Sequence, residues 1–193
     1  MKLHLASGTV YLEGYQNIDL EGELASEHPE LVEICKTTID KYYKYPFRQN
    51  MYNKVADIKA DVRDLLMFAD ETVDEILCVN LIDHFKRVEF RKTLWEWYRV
   101  LKRGGQLIID IDDREKQAKM FLEAKTVKEL EWGLRLLYCH HRTLYDTHYW
   151  GYTRKYLQWI LEQTDFKVLW IRDDYIVHDM YPNFQICAEK IVL

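Results

Sequence analysis

The stretch VDEILCVNLIDHFKRVEFRKTLWEWYRVLKRGGQLIIDIDD, residues 73–113, restricts the possible folds more than any other part of the chain. Residues 76–82 form a mostly apolar run, short enough for a strand covered on both faces, which predicts a parallel sheet. Phe90, Leu94, Trp97 and Leu101 then recur at i, i+4, i+7 and i+11, the apolar stripe of a helix. Its other face carries Arg91, Lys92, Glu96 and Arg99. Lys102 and Arg103 suit the negative end of that helix, and Gly104 is expected to end it in the left-handed conformation. A second apolar strand, residues 106–111, follows at once. Strand, helix and parallel strand this closely joined make a right-handed crossover, and ligands bind such sheets beyond the carboxyl ends of the strands. Those ends fall here at residues 80–85 and 110–113.

The chain has 193 residues, enough for one domain with a sizeable core and cramped for two. Its 27 basic and 32 acidic residues give a net charge of −5 without a basic block, which argues against a nucleic-acid footprint and leaves small acceptors open. Cys35, Cys78, Cys139 and Cys187 are scattered without a C-x-x-C pair, which fits free thiols in a reducing compartment. No run approaches the ~20 apolar residues that span a membrane, so the expectation is a cytoplasmic protein with no membrane partner.

The remaining elements read in order. Residues 2–5 and 16–20 are strands, and the ten residues between them leave room for only a turn or so of helix. Residues 23–45 show a helical period through Leu24, Leu31, Ile34, Cys35 and Ile39, then Tyr42 or Tyr43, with Pro29 in a first turn or a break, followed by the run KYYKYP at 41–46. Residues 55–62 supply a third strand. Residues 114–138 are helical, with anchors at Phe121, Leu122, Val127, Leu130, Leu134, Leu137 and Tyr138. The segment CHHRTLYDTHYWGYT at 139–153 is dense in His, Tyr and Trp, as a pocket wall would be. Its histidines predict no metal: His140 and His141 are adjacent and point apart, and His148 is distant from them. Thr153 should cap a helix over residues 154–164 with Tyr156, Leu157, Ile160 and Leu161 facing inward, and strands at 167–171 and 185–192 close the chain.

The runs FADETVDEIL, NLIDHF and WYRVLKRGGQLIIDI, together with HYWGYT before the last helix and DFKV after it, resemble class I S-adenosylmethionine-dependent methyltransferases in order and spacing. Asp83 stands where that family usually has Glu, Arg103 where it has Pro, and Asp165 where it has Gly. The resemblance implies an α/β fold, a doubly wound, Rossmann-like, seven-stranded, mostly parallel sheet with the last strand antiparallel. It implies one domain over 1–193, with a helical insertion at 21–54 and an acceptor-side excursion at 114–153. S-adenosyl-L-methionine is the implied cofactor and S-adenosyl-L-homocysteine its product. The implied cofactor contacts are Ala6, Ser7 and Gly8 in the first loop, Asp19 and Leu20 at the ribose, Asp61 and Val62 at the adenine, and Asn80 and Leu81 after the fourth strand. The family's G-x-G-x-G is reduced to Gly8 alone, so a non-catalytic scaffold with a decayed loop is the rival reading. A nicotinamide oxidoreductase is a weaker one, since G-x-G-x-x-G is missing. His148, His84 and Asp83 are the groups expected to act on the acceptor, His148 facing the cofactor methyl. For His84 and His148, a role in ordering the loop is the competing assignment. The implied partner is a small-molecule or glycan-type acceptor.

Overall fold

The computed structural model describes residues 1–42, 52–143, 145–173 and 182–191. Seven strands share one sheet: β1 (Lys2–Leu5), β2 (Gln16–Asp19), β3 (Ile58–Lys59), β4 (Val73–Val79), β5 (Leu101–Asp112), β6 (Phe166–Asp173) and β7 (Asn183–Lys190). Their order is β3-β2-β1-β4-β5-β7-β6, and β7 runs antiparallel to both its neighbours while the other pairs are parallel. The chain winds outward from β1 to β3, returns to β4 and winds the other way. The loops after β1 and β4 therefore part, which opens a crevice at their carboxyl ends.

Period-two alternation assigns the sheet residues to two faces. Leu3, Leu5, Ile76, Cys78, Leu107 and Ile109 pack against α2 (Arg87–Val100), through Phe90, Leu94, Trp97 and Val100, and against α5 (Arg154–Glu162), through Leu157, Ile160 and Leu161. On the other face Leu77, Val79 and Ile108 meet Val10, Leu12 and Tyr42. No helix intervenes between β1 and β2. Gly8 turns the chain, and Tyr11–Leu12 pairs in parallel with Lys36–Thr37. A polar network holds this segment down. His4 is fully buried; its Nδ1 lies 2.8 Å from Asn17 Oδ1 and its Nε2 meets the Tyr42 hydroxyl. Asn17 in turn accepts from the Leu12 amide at 2.8 Å and donates to the Leu12 carbonyl at 3.1 Å. A neutral imidazole with its proton on Nδ1 satisfies both partners.

Several elements differ from their sequence expectation. The helix expected over 23–45 is limited to α1 (Pro29–Cys35) and a 3-10 turn at Ile39–Lys41, because Pro29 occupies the start of α1 and Lys36 is extended. Tyr43 and the rest of the run to residue 46 lie outside the described residues, as does Val192. The third strand breaks at Asp57: Val55–Ala56 pairs with Glu23–Leu24, and only Ile58–Lys59 reaches the main sheet. The Asp57 carboxylate is the cause, since it accepts from the Asn17 amide and the Tyr11 hydroxyl, each at 2.7 Å. The 114–138 helix is two, α3 (Arg114–Glu123) and α4 (Val127–Tyr138), separated by a capping box between Thr126 and Glu129. Gly104 is left-handed, with φ 72°, yet lies within β5: α2 ends at Val100, and Leu101 already pairs with Val73.

Burial lowers the His4 pKa from 6.5 to about 4, against the opposing bond to Asn17. Between those values the unfolded chain takes up a proton that the folded chain refuses. The contribution is therefore whole above pH 6.5 and is lost progressively as pH falls toward 4, by roughly 3 kcal/mol in total. Urea midpoints of the wild type and of His4→Gln are expected to converge between pH 7 and pH 4.5; a gap of constant size would refute this.

Candidate active site

Two cavities open at the carboxyl edge of β1, β2, β4 and β5. The larger, of about 440 Å3, is lined by Ala6, Asp19, Leu20, Asp61, Val62, Asn80 and Leu81 among the residues expected at the cofactor. Ser7 and Gly8 do not line it. Instead the Ser7 amide donates to the Ile18 carbonyl at 3.2 Å and its hydroxyl is buried without a hydrogen-bond partner. The Gly8 amide donates to Asp19 Oδ2 at 2.8 Å, and the Glu21 amide to Asp19 Oδ1 at 2.9 Å. Each Asp19 oxygen thus keeps a lone pair while the backbone fixes the carboxylate at the rim. Ala6 and Asn80 both take positive φ, 53° and 47°, so the two loops that frame the crevice each hold a left-handed residue that is not glycine.

The loop after β3 is held by α2. Trp97 Nε1 donates to the Val62 carbonyl at 2.9 Å, Glu96 accepts the Leu65 amide at 2.9 Å, and Arg99 reaches the Phe68 and Leu65 carbonyls. Glu96 and Arg99, expected on the solvated face, are structural. Asp61 borders the larger cavity with its carboxylate in the fork of Arg63, at 2.6–3.0 Å, and that contact lowers its pKa.

Asp83 follows β4 in a 3-10 turn, Ile82–His84, and is fully buried. It lines neither cavity, unlike His84 and His148, the other two groups expected to act on the acceptor. Its Oδ2 accepts from Arg114 at 2.9 Å and lies 3.2 Å from His148 Nε2, while its carbonyl accepts the Tyr149 amide at 2.8 Å. Its Oδ1 has no hydrogen-bond partner. Arg114 also donates to the Leu136 carbonyl at 2.5 Å and lies 3.4 Å from Asp112, so one guanidinium joins the ends of β4, β5 and α4. Gly151 passes over it, where a Cβ would stand 2.9 Å from Arg114 Cγ. Burial beside the Asp83 charge raises the Asp112 pKa, which Arg114 opposes. Burial lowers that of His148, against the pull of Asp83. Asp113 caps α3 through the Glu115 and Lys116 amides and pairs with Arg154 at 2.7 Å.

The smaller cavity, of about 210 Å3, is lined by His148, Asp112, Arg135, Trp132, Cys139 and others, and shares Asn80 and His84 with the larger one. His84 donates from Nδ1 to the Thr147 carbonyl at 3.1 Å, and His148 likewise to the Leu136 carbonyl at 3.1 Å. Their rings are 4.9 Å apart. His140 also lines this cavity, with its ring against Arg135. Sequence reading missed Arg114 and the α4 residues. Trp132, Arg135 and Leu136 stand at i, i+3 and i+4, a spacing that could have marked a cavity-facing stripe. Gly133 lets α4 lie against Phe121 of α3, and so places that stripe. Among the described residues no cysteine forms a disulfide.

A family model for a methyltransferase domain matches residues 25–109. No curated protein matches the sequence. Among solved structures, a SAM-dependent methyltransferase from Methanosarcina mazei superposes with TM-score 0.57 at 17% identity, over 100% of this chain and 92% of its own. The Burkholderia thailandensis 1,6-didemethyltoxoflavin-N1-methyltransferase, bound to 1,6-didemethyltoxoflavin and S-adenosylhomocysteine, gives TM-score 0.61 at 14% identity over 99% and 71%. A protein from Pyrococcus horikoshii gives 0.53 at 14% over 98% and 81%. At these identities the likeness is one of fold. Residues 25–109 thus resemble a methyltransferase domain in sequence, and the chain resembles S-adenosylmethionine-dependent methyltransferases in fold.

Arg114→Met leaves the Asp83 charge buried without its cation, and a broken buried pair costs about 3–5 kcal/mol. In an Asp83→Asn background the same substitution is expected to cost much less. Equal losses of denaturant stability in the two backgrounds would show the groups to be uncoupled.

Proposed function

We propose that this chain transfers the methyl group of S-adenosyl-L-methionine to a small-molecule or glycan-type acceptor. The observation that carries this reading is the pair of cavities that adjoin at Asn80 and His84. The larger has the size usual for cofactor pockets, and the smaller admits little more than a compact acceptor. Asp19 is suited to the ribose hydroxyls, since each carboxylate oxygen keeps a lone pair. Leu20, Val62 and Leu81 offer apolar walls for the purine, and Ala6 approaches with a left-handed backbone. The cofactor supplies an electrophilic methyl on a sulfonium. The chain's own task is then to hold the acceptor in line, and a base is needed only where the acceptor must lose a proton early. His84 and His148 are the imidazoles placed for that. Asp83, wholly buried, orients His148 and Arg114 rather than touching acceptor.

The net charge of −5 and the small second cavity favour a small acceptor over nucleic acid. The ligand in the Burkholderia structure supports the same class. Among the described residues no helix is long and apolar enough to cross a membrane, and we place the protein in the cytoplasm as a single domain. In that reading Glu21 and Lys54, at the two ends of the expected insertion, border the cofactor side, and Trp132, Arg135 and His148 the acceptor side. The reduced glycine loop favours one alternative, a scaffold that no longer binds cofactor.

Isothermal titration separates the two. The wild type is expected to bind S-adenosylhomocysteine, and Asp19→Ala to weaken binding by ~1.5–3 kcal/mol, the value of a charge-assisted hydrogen bond. Absence of heat with a folded wild type would leave the scaffold reading, whereas unchanged affinity in Asp19→Ala would remove Asp19 from the ribose. Methyl transfer to a panel of hydroxyl and amine acceptors is the companion assay.

A further inference from the structure

Beside the smaller cavity, two histidines that line it and the buried Asp83 behind them present acceptor atoms to one another. Asp83 Oδ1 is fully buried and lacks any hydrogen-bond partner. His84 gives its Nδ1 proton to the Thr147 carbonyl and His148 gives its own to the Leu136 carbonyl, so in each neutral ring the lone pair is on Nε2. One carboxylate oxygen and one ring nitrogen of each histidine all lie within 4.8 Å of one another. His84 Nε2 is 3.9 Å from Asp83 Oδ1, and His148 Nε2 is 3.2 Å from Oδ2. Three lone-pair atoms this close repel unless a cation lies between them.

We propose that Asp83, His84 and His148 bind a divalent first-row transition-metal ion. Two imidazoles and a carboxylate form the two-histidine, one-carboxylate set that leaves coordination positions open. Each ring is already oriented by a backbone carbonyl at its other nitrogen, as ligating histidines are. The rim charges are compatible. Asp83 and Asp112 meet Arg114 at the cluster itself, Asp113 is paired with Arg154, and Arg135 and Arg142 line the cavity beyond. Arg114 occupies Asp83 Oδ2, which directs the ion to Oδ1. Donor atoms up to 4.8 Å apart need to draw in to about 3.0–3.4 Å of one another to surround an ion at ~2.1 Å from each ligand. His84 and His148 line the smaller cavity, so the open positions face it. If that cavity takes the acceptor as proposed above, the ion would hold and polarise an oxygen of it. This revises the expectation of no metal, which considered His148 with His140 and His141 rather than with His84.

The test uses Co2+, with the cofactor left out, so that it does not depend on methyl transfer. Wild type is expected to bind one equivalent with visible d–d absorption that Zn2+ competes away. His84→Gln and His148→Gln should each weaken binding at least about 100-fold, since losing a ligand costs no less than losing its support. His28→Gln, which removes an exposed imidazole elsewhere, should leave it unchanged. Should a variant unfold, substoichiometric Co2+ on the wild type still decides: the His84 and His148 ring protons must shift or broaden before those of other histidines. Failure to saturate, retention of affinity in both variants, or an imidazolium on His148 at pH 7.5 that Co2+ does not displace would each overturn the site. S-adenosylhomocysteine titration of the same samples reads the methyltransferase assignment separately.

Discussion

A carboxylate taken entirely out of water must be met by cations or hydrogen bonds, and Asp83 is such a carboxylate at the point where the chain leaves β4. Its partners arrive from everywhere else at that edge. Arg114 comes from the start of α3 and His148 from the segment after α4, while the Asp83 carbonyl takes the Tyr149 amide. Arg114 then reaches the last turn of α4 through the Leu136 carbonyl. The excursion at 114–153 buries little in the main core, so its position over the crevice rests on these polar contacts. A single aspartate thus connects sheet topology to the shape of the smaller cavity.

The other half of the crevice is built with fewer residues than a doubly wound sheet ordinarily uses. Between β1 and β2 there is a turn instead of a helix, and the face it leaves is closed by Val10, Leu12 and Tyr42. His4, Asn17 and Asp57 replace helix packing with hydrogen bonds, and the same residues set where β2 ends and β3 begins. Asp19 is positioned as a consequence. It closes the Gly8 turn by accepting its amide, so the first loop and the end of β2 form one unit despite the lost glycines. The loop after β3, clamped by Glu96, Trp97 and Arg99 of α2, completes that wall.

How much of this was legible follows from the range of the forces involved. Periodicity is local, so α2, α5 and strands β4 and β5 could be read from spacing, and the capping role of Thr153 from its chemistry. Where a short-range signal met a competing tertiary contact, reading failed. Asp57 broke the third strand because its carboxylate serves Asn17 and Tyr11, which no window around residue 57 contains. The capping box at Thr126 and Glu129 was a local signal and could have divided α3 from α4.

The sequence by itself determined α2, α5 and the parallel pair of β4 and β5, because each depends on patterns within one or two elements, while the antiparallel last strand was legible only through the family resemblance. The pairing of the histidines was decided only by tertiary structure. His84 and His148 are far apart in the chain, and their rings meet at 4.9 Å because Arg114 and Asp83 fold the later segment back onto the turn after β4. Asp83, read from sequence as a group that could act on the acceptor, is fully buried where these chains converge, between Arg114 and His148. Burial is a property of the assembled chain, and no window of sequence around residue 83 contains the partners that impose it.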